Sequence, residues 1–295
     1  EQGSEINRRS RIRHRIYVQI TKSCGGIILS RLRLPLFICR KIIFIMKIAN
    51  VVKEKMASYA NGEIFTVSDF GLEPKYDMAL AKTLSRMSQK GELQKVSKGK
   101  YYKPQKTILG QLKPEMTEII KDFLFRDNEV VGYVTGTQAF ASMGLTTQIS
   151  STILIGTNEY RRPIKRGAYL IKFLRQKNTI TESNIELLRI LDAIKYIKEI
   201  PATSPDEVCK VIIEIIRNLD AEKLDMLEKL TFGYTGYVRA VVGAIFEQLG
   251  LYSTAIRMSL NGLTTYKLPI TEIVLPNKTN WNIYESTRLN LEYLK

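Results

Sequence analysis

The 295-residue chain is predicted to be an α+β protein: an N-terminal winged helix-turn-helix over residues 46–105, followed by a larger mixed α/β domain over 106–295. Three observations lead there. After Met46, apolar residues recur at helical spacing in successive short segments; two β-type segments then flank Lys98 and Gly99; and the later half passes from β-rich runs into long amphipathic stretches. The apolar share of 44% and the charged share of 25% are those of a globular chain with a packed core, so neither wholesale disorder nor a membrane-embedded protein is expected.

Ile48, Val51, Val52 and Met56 form the apolar stripe of a first helix over 47–59, which Asn61 and Gly62 end. The segment from Phe65 to Gly71, with Thr66 and Ser68 as caps, suits a short second helix. Following a turn at Glu73 and Pro74, Asp77 is placed to cap a third helix reaching Lys90, with Leu80, Leu84 and Met87 on one face and Gly91 as its stop. The runs Leu93 to Ser97 and Lys100 to Lys103 around Lys98-Gly99 predict a tight hairpin. Three helices and a hairpin within about sixty residues are the winged-helix order.

Residues 1–45 differ from the rest. Arg dominates over Lys there, and the apolar stretch from Ile27 to Ile45 is broken by Arg31, Arg33, Arg40 and Lys41, which fits neither a transmembrane span nor a signal peptide. This basic arm is expected to be a tag or non-native upstream sequence, with the natural protein starting at Met46.

Charge points to a polyanionic partner. The chain carries 45 Lys and Arg against 29 Asp and Glu. Residues 1–45 hold ten basic and two acidic side chains, 46–105 hold eleven and six, and the remainder is close to balance. Basic residues clustered near one end favour a nucleic acid over a uniformly basic surface. On the third helix, Lys82, Thr83 and Arg86 are the base-reading candidates, beside Ala79 and Lys90 on the same face, with Lys75 and Tyr76 placed for phosphates. Around the hairpin, Lys95, Lys98, Gly99 and Lys100 suit phosphate or minor-groove contact, with Lys103 close by.

Catalytic chemistry is not legible. His14, in the arm, is the one histidine, so no Ser/His or Cys/His pair is available in the body of the chain. Cys24, Cys39 and Cys209 are odd in number and widely spaced, which argues for a reducing, cytoplasmic setting and against a disulfide framework or a metal knuckle. Phosphate-loop, zinc-protease, nucleophile-elbow and dinucleotide motifs are absent, and no catalytic residue, metal site or cofactor is expected. Asp192, Lys195 and Glu199 lie at helical spacing as a nuclease site would require, but read equally well as a solvated helix face.

In the second half, residues 107–117 read as a linker entering a helix from Glu115 to Phe125. Strands are expected over Val130 to Val134, Ser151 to Ile155 and Tyr169 to Phe173, with a helix near Gln138 to Met143. Amphipathic helices are expected over 182–200 and 206–218, and a helix pair over 221–249 broken near Gly233 and Gly236. Arg161, Arg162, Lys165 and Arg166 form a compact basic loop, a candidate for phosphate or an acidic protein partner.

The hairpin GKYY, the block YVTGTQAFASMGLTTQIS, the following TNEYRRPIKRG, the helix ending LLRILDAIKYIKEIP, and LNGLTTYKLPI with Trp281, Asn282 and Ile283 together resemble the AbiEi-type antitoxins of bacterial type IV toxin-antitoxin systems. The resemblance spans nearly everything after Met46 and not residues 1–45. It implies a transcriptional autorepressor that binds its own promoter through the winged helix. It also implies a C-terminal domain that counters a nucleotidyltransferase-like toxin encoded in the same operon, without a cofactor and without enzymatic activity. One winged helix reads little duplex, so repeated half-sites and a homodimer on DNA are expected. Two other readings stand beside it: a winged-helix-guided nuclease, and a protein-interaction scaffold that no longer touches DNA.

Overall fold

The computed structural model describes residues 48–285 apart from residue 109. The basic arm with His14, Cys24 and Cys39, and the start of the first predicted helix, lie outside the described residues. Helices and several small sheets alternate along the chain, so the protein is α+β. No helix among the described residues is long and apolar enough to cross a membrane. The described residues fall into two compact units: 48–61 with 65–93, and 62–64 with 94–285. The hairpin that the sequence reading placed with the first domain falls in the second unit.

In the first unit, helix α1 covers 48–58 and helix α2 covers Asp77–Gln89. Strand β1 (Ile64–Phe65) crosses the division, and 3-10 turns occupy Ser68–Phe70 and Pro74–Tyr76. Ile48 and Val52 from α1, Leu80, Leu84 and Met87 from α2, and Phe65, Phe70 and Leu93 are buried. Phe65 stacks on Tyr59 with ring centroids 4.9 Å apart and meets Phe70 edge-on at 5.8 Å. The expected second helix is a single 3-10 turn, in which the capping runs opposite to expectation: the Asp69 carboxylate accepts from the Thr66 amide at 2.6 Å and from its hydroxyl at 3.0 Å. Asp77 does not cap α2 either. The helix continues directly from the turn at Pro74–Tyr76, which leaves Asp77 inside the first turn, where its charge still complements the helix dipole.

The second unit opens on the antiparallel hairpin β2 (Gln94–Ser97) and β3 (Lys100–Tyr102), turned at Lys98 and Gly99. Gly99 has φ +77°, a left-handed conformation that residues with a Cβ adopt at a cost. A second hairpin, β4 (Gln105–Thr107) and β5 (Gly110–Leu112), stands where a linker was expected. Composition misled here, because Thr107, Gly110 and Gln111 read as linker residues, whereas the backbone groups of a short loop are also satisfied by pairing with each other. Helix α3 (Met116–Leu124) and the small ribbon β6 (Phe125–Arg126) with β7 (Glu129–Val130) lead into the main sheet.

That sheet contains β8 (Gly132–Thr135), β9 (Thr152–Thr157), β10 (Ile164–Arg166) and β11 (Tyr169–Arg175) in the order β10-β11-β9-β8. Strands β9 and β11 run parallel, and the outer two pair antiparallel. Side chains alternate across it. Ile153, Ile155 and Ile171 pack against Ile119, Ile120 and Phe123 of α3 on one face. On the other face Tyr133 joins a larger cluster supplied by α4 (Thr137–Ser142), α5 (Ile185–Lys195), α6 (Pro205–Arg217), α7 (Ala221–Thr231) and α8 (Gly236–Gln248). Local signals start these helices: the Ser204 hydroxyl accepts from the Glu207 amide at 3.2 Å ahead of Pro205, and Asp220 accepts from the Lys223 amide at 2.8 Å. Helix α9 (Thr254–Met258) and the parallel pair β12 (Tyr266–Leu268) and β13 (Ile283–Glu285) close the described chain.

Gly156 is required by packing. A Cβ there would lie 2.4 Å from ring carbons of Tyr133, its cross-strand partner. Gly156→Ala is therefore expected to displace the buried Tyr133 ring and lower the unfolding free energy by about 1–3 kcal/mol, read as a shift of the urea midpoint. An unchanged midpoint would show that the ring relaxes freely.

Candidate nucleic-acid interface

Helix α2 sorts its side chains by the helical repeat. Leu80, Thr83, Leu84 and Met87 face inward, while Lys82 and Arg86, one turn apart, and Lys90 at the C-cap are exposed. None of these three cations makes an ion pair among the described residues. Thr83 leaves the candidate set: it is 9% exposed and its hydroxyl donates to the Ala79 carbonyl at 2.9 Å, so the group meant to reach a base is satisfied within its own helix. Lys75 is exposed but paired with Glu73 at 2.5 Å, and its ammonium stands 4.9 Å from the centroid of the half-buried Tyr76 ring. The Glu73 hydrogen bond, followed by one to Tyr76, raises the Lys75 pKa. Such an exposed pair is weak and screened by salt, so Lys75 can exchange Glu73 for another anion at little cost.

On the β2–β3 hairpin, Lys95 and Lys98 are exposed and unpaired among the described residues, on either side of the bulge between Lys95 and Ser97. Lys100 is not available in the same way. Its ammonium lies 2.8 Å from Asp122 on α3, and the side chain is 19% exposed.

The predicted basic loop divides. Arg166 belongs to strand β10, is 5% exposed, and gives both terminal guanidinium nitrogens to Asp122 at 2.5 and 2.8 Å. It also donates to the Ile119 carbonyl at 2.8 Å, with its plane 3.9 Å from the Phe123 ring centroid. It is thus a structural cation and no phosphate contact. Arg161 is partnered by Glu159 at 2.8 Å, whereas Arg162 and Lys165 remain exposed and unpaired among the described residues. Burial by itself would raise the Asp122 pKa, but hydrogen bonds and charge from Arg166 and Lys100 together hold it below the ordinary value.

Asp192 is the largest departure from expectation. Far from a solvated helix face, it is fully buried on α5 beneath the sheet. Its Oδ2 accepts from the Tyr133 and Thr135 hydroxyls, each at 2.8 Å, and its Oδ1 from the Tyr234 hydroxyl at 2.9 Å. Gln176 sets the direction of this network. Its Oε1 accepts from the Asn178 amide at 3.0 Å, so its Nε2 donates to both phenols, each at 2.9 Å, and the phenol protons are left to point at Asp192. Burial raises the Asp192 pKa, opposed by the hydroxyls of Thr135, Tyr133 and Tyr234 and by the charge of Lys195. Burial and then the Asp192 charge push both tyrosines well above their ordinary value, which keeps them donors. Cys209 is buried, its thiol pushed up to about 12 chiefly by burial, and is thus no nucleophile. Among the described residues no group of three or more His, Cys, Asp or Glu side chains stands together as a metal site.

What the fold and these surfaces define is a two-unit α+β chain in which, among the described residues, exposed cations without a carboxylate partner include those on α2, the β2–β3 hairpin and the segment of Arg162 and Lys165. It belongs to the family described as "Family of unknown function (DUF6088)", whose model matches residues 51–224, more than half of the chain. No curated protein matches it. Among solved structures it is similar to the RV2827C protein from Mycobacterium tuberculosis, at 15% identity and a TM-score of 0.42, over 75% of this chain and 84% of that one.

Because the folded Asp122 pKa is depressed, its pairing contributes stability above the unfolded carboxyl value of about 3.9, and that contribution is lost as pH falls through the folded value. Asp122→Asn is expected to be less stable than the unsubstituted protein at neutral pH, with the gap closing as urea unfolding is followed below about pH 4. A gap constant with pH would mean that the carboxylate charge is not what Arg166 and Lys100 hold.

Proposed function

We propose that the protein is a DNA-binding transcriptional autorepressor with a winged helix-turn-helix, α2 as recognition helix and the β2–β3 hairpin as wing, and that its second unit acts as the antitoxin of a type IV system. The observation that carries the DNA-binding half is the state of the cations. Lys210, Arg217, Lys223 and Lys229 in the helical layer are each paired with a carboxylate, whereas Lys82, Arg86 and Lys90 on the helix and Lys95 and Lys98 on the hairpin are exposed and paired with none among the described residues. An unpaired cation can neutralise a phosphate without first surrendering a partner, and release of the DNA counterions then drives binding. Lys82 and Arg86 are the side chains that reach base edges; Lys95 and Lys98 meet the backbone. The antitoxin half rests on the resemblance of YVTGTQAFASMGLTTQIS and TNEYRRPIKRG to the AbiEi-type proteins. On this reading the partners are the protein's own promoter, in repeated half-sites bound by two copies, and the effect of a nucleotidyltransferase-like toxin encoded next to it, which the protein counters without catalysis.

The test is an anisotropy titration of the full chain against duplex from upstream of its own gene and against random duplex, over a range of salt. Preference for the upstream DNA is expected, with steep salt dependence. In Lys82→Ala/Arg86→Ala the affinity for the upstream duplex should fall at least about tenfold and the preference over random duplex should shrink, whereas Lys95→Ala/Lys98→Ala should flatten the slope of log K against log salt by up to about 1.8. Equal binding to both duplexes, a preference untouched by Lys82→Ala/Arg86→Ala, or a slope untouched by Lys95→Ala/Lys98→Ala contradicts the proposal. Co-expression with the neighbouring gene product tests the antitoxin half, where rescue of growth is expected and continued arrest would refute it.

A further inference from the structure

Of the hairpin's lysines, Lys100 alone is turned inward onto Asp122. Lys100 pairs with Ser97 across the hairpin, immediately beside the Lys98-Gly99 turn, so this contact grips the tip and not the base. The hairpin is part of a three-stranded sheet in the order β1-β3-β2, but β1 is only two residues long, and β2, the outer strand, is paired on one side only and interrupted by a bulge. β3 is anchored by its pairing with β1 and by the buried Tyr101 and Tyr102, whereas at the turn end the holds are Val96, which packs on the cluster of α3 and the sheet, and Lys100. The acceptor is fixed in advance: Arg166, buried between Asp122 and the Phe123 ring, holds both carboxylate oxygens and leaves Asp122 Oδ2 facing Lys100. With Lys100 and Arg166 largely out of solvent, the attraction is screened less than in an exposed pair.

We propose that Asp122 is a clasp for the hairpin: through Lys100 it sets where Lys95 and Lys98 stand, and Lys100 serves DNA binding as a positioning residue that does not itself touch phosphate. This rests on the DNA-binding reading above. The clasp has a cost-free alternative only if the hairpin is rigid without it, and the bulge argues against that. A phosphate seated on Lys100 would also have to displace a carboxylate already held in place by Arg166.

The experiment uses the full chain with Lys100→Met, which keeps the aliphatic stem and removes the charge, and Lys100→Arg, which restores it. Amide hydrogen exchange in the free protein reads the clasp directly. Amides of 94–102 are expected to exchange about tenfold faster in Lys100→Met, with 116–124 and 152–157 unchanged, and Lys100→Arg should return toward the unsubstituted protein. In duplex titrations Lys100→Met should bind about fivefold more weakly at an unchanged salt slope, again restored by Lys100→Arg. A slope flattened by about 0.9 would place Lys100 on a phosphate and overturn the proposal, as would hairpin exchange identical to that of the unsubstituted protein. If the unsubstituted chain itself ignores duplex DNA, the DNA-binding reading falls, while the exchange data still decide whether the clasp holds the hairpin.

Discussion

A carboxylate removed from water must find its hydrogen bonds within the protein, and the second unit is arranged around that demand at Asp192. Three hydroxyls converge on it from distant parts of the chain: Tyr133 and Thr135 on β8, and Tyr234 in the turn before α8. Gln176, just past β11, holds both phenols in the donating direction and is itself held by the Asn178 amide. One side chain of α5 thereby ties the sheet to the helical layer at two points and takes its third bond from the turn between α7 and α8. Apolar packing alone would tolerate small slips between these layers, but a directional network does not, since each broken bond strands a buried polar group at a cost of about 1–3 kcal/mol. Gly156 belongs to the same constraint, because the space left by its missing side chain is where the Tyr133 ring passes on its way to Asp192.

A layer fixed in this way offers a rigid base for the surface elements of that unit. On its opposite face, α3 carries Asp122, and there charge takes over from hydroxyls: one carboxylate gathers Arg166 from β10 and Lys100 from β3. Cations in this protein thus do two different jobs. Arg166 and Lys100, largely out of solvent on one carboxylate, hold structure. Cations without a carboxylate among the described residues, which include those on α2, Lys95 and Lys98 on the first hairpin, and Arg162 and Lys165, remain available to an outside anion. This division by pairing, more than the net charge of +16, gives the DNA-binding proposal its particular residues.

Local signals in the sequence were informative wherever the interaction they report is local. The stripe of Leu80, Leu84 and Met87 located α2, glycine at 99 located the hairpin turn, and Gly233 and Gly236 located the break between α7 and α8. Side-chain roles depending on remote partners were not legible. Asp192 sits at the same helical spacing as Lys195 and looks like a surface residue until Tyr133 and Tyr234, 59 and 42 residues away, are brought against it. Thr83 lies at i+3 from Leu80 and so joins the buried face, where its hydroxyl turns back to Ala79. Arg166 closes a run of exposed-looking basic residues, and only strand alternation along β10 separates its inward side chain from the outward Lys165. A signal was present in the alternation Tyr133-x-Thr135, two polar residues on the inward face of a buried strand, which calls for a buried polar partner without naming it.

On the proposed reading, availability of cations, set by their pairing, decides where DNA is met. Lysine acetylation footprinting of the full chain, with and without duplex from upstream of its gene, tests this residue by residue. Protection on DNA binding is expected at Lys82, Lys95 and Lys98, with Lys210, Lys223 and Lys229 reacting equally in both states. Protection of the paired lysines while Lys82, Lys95 and Lys98 stay reactive would contradict it.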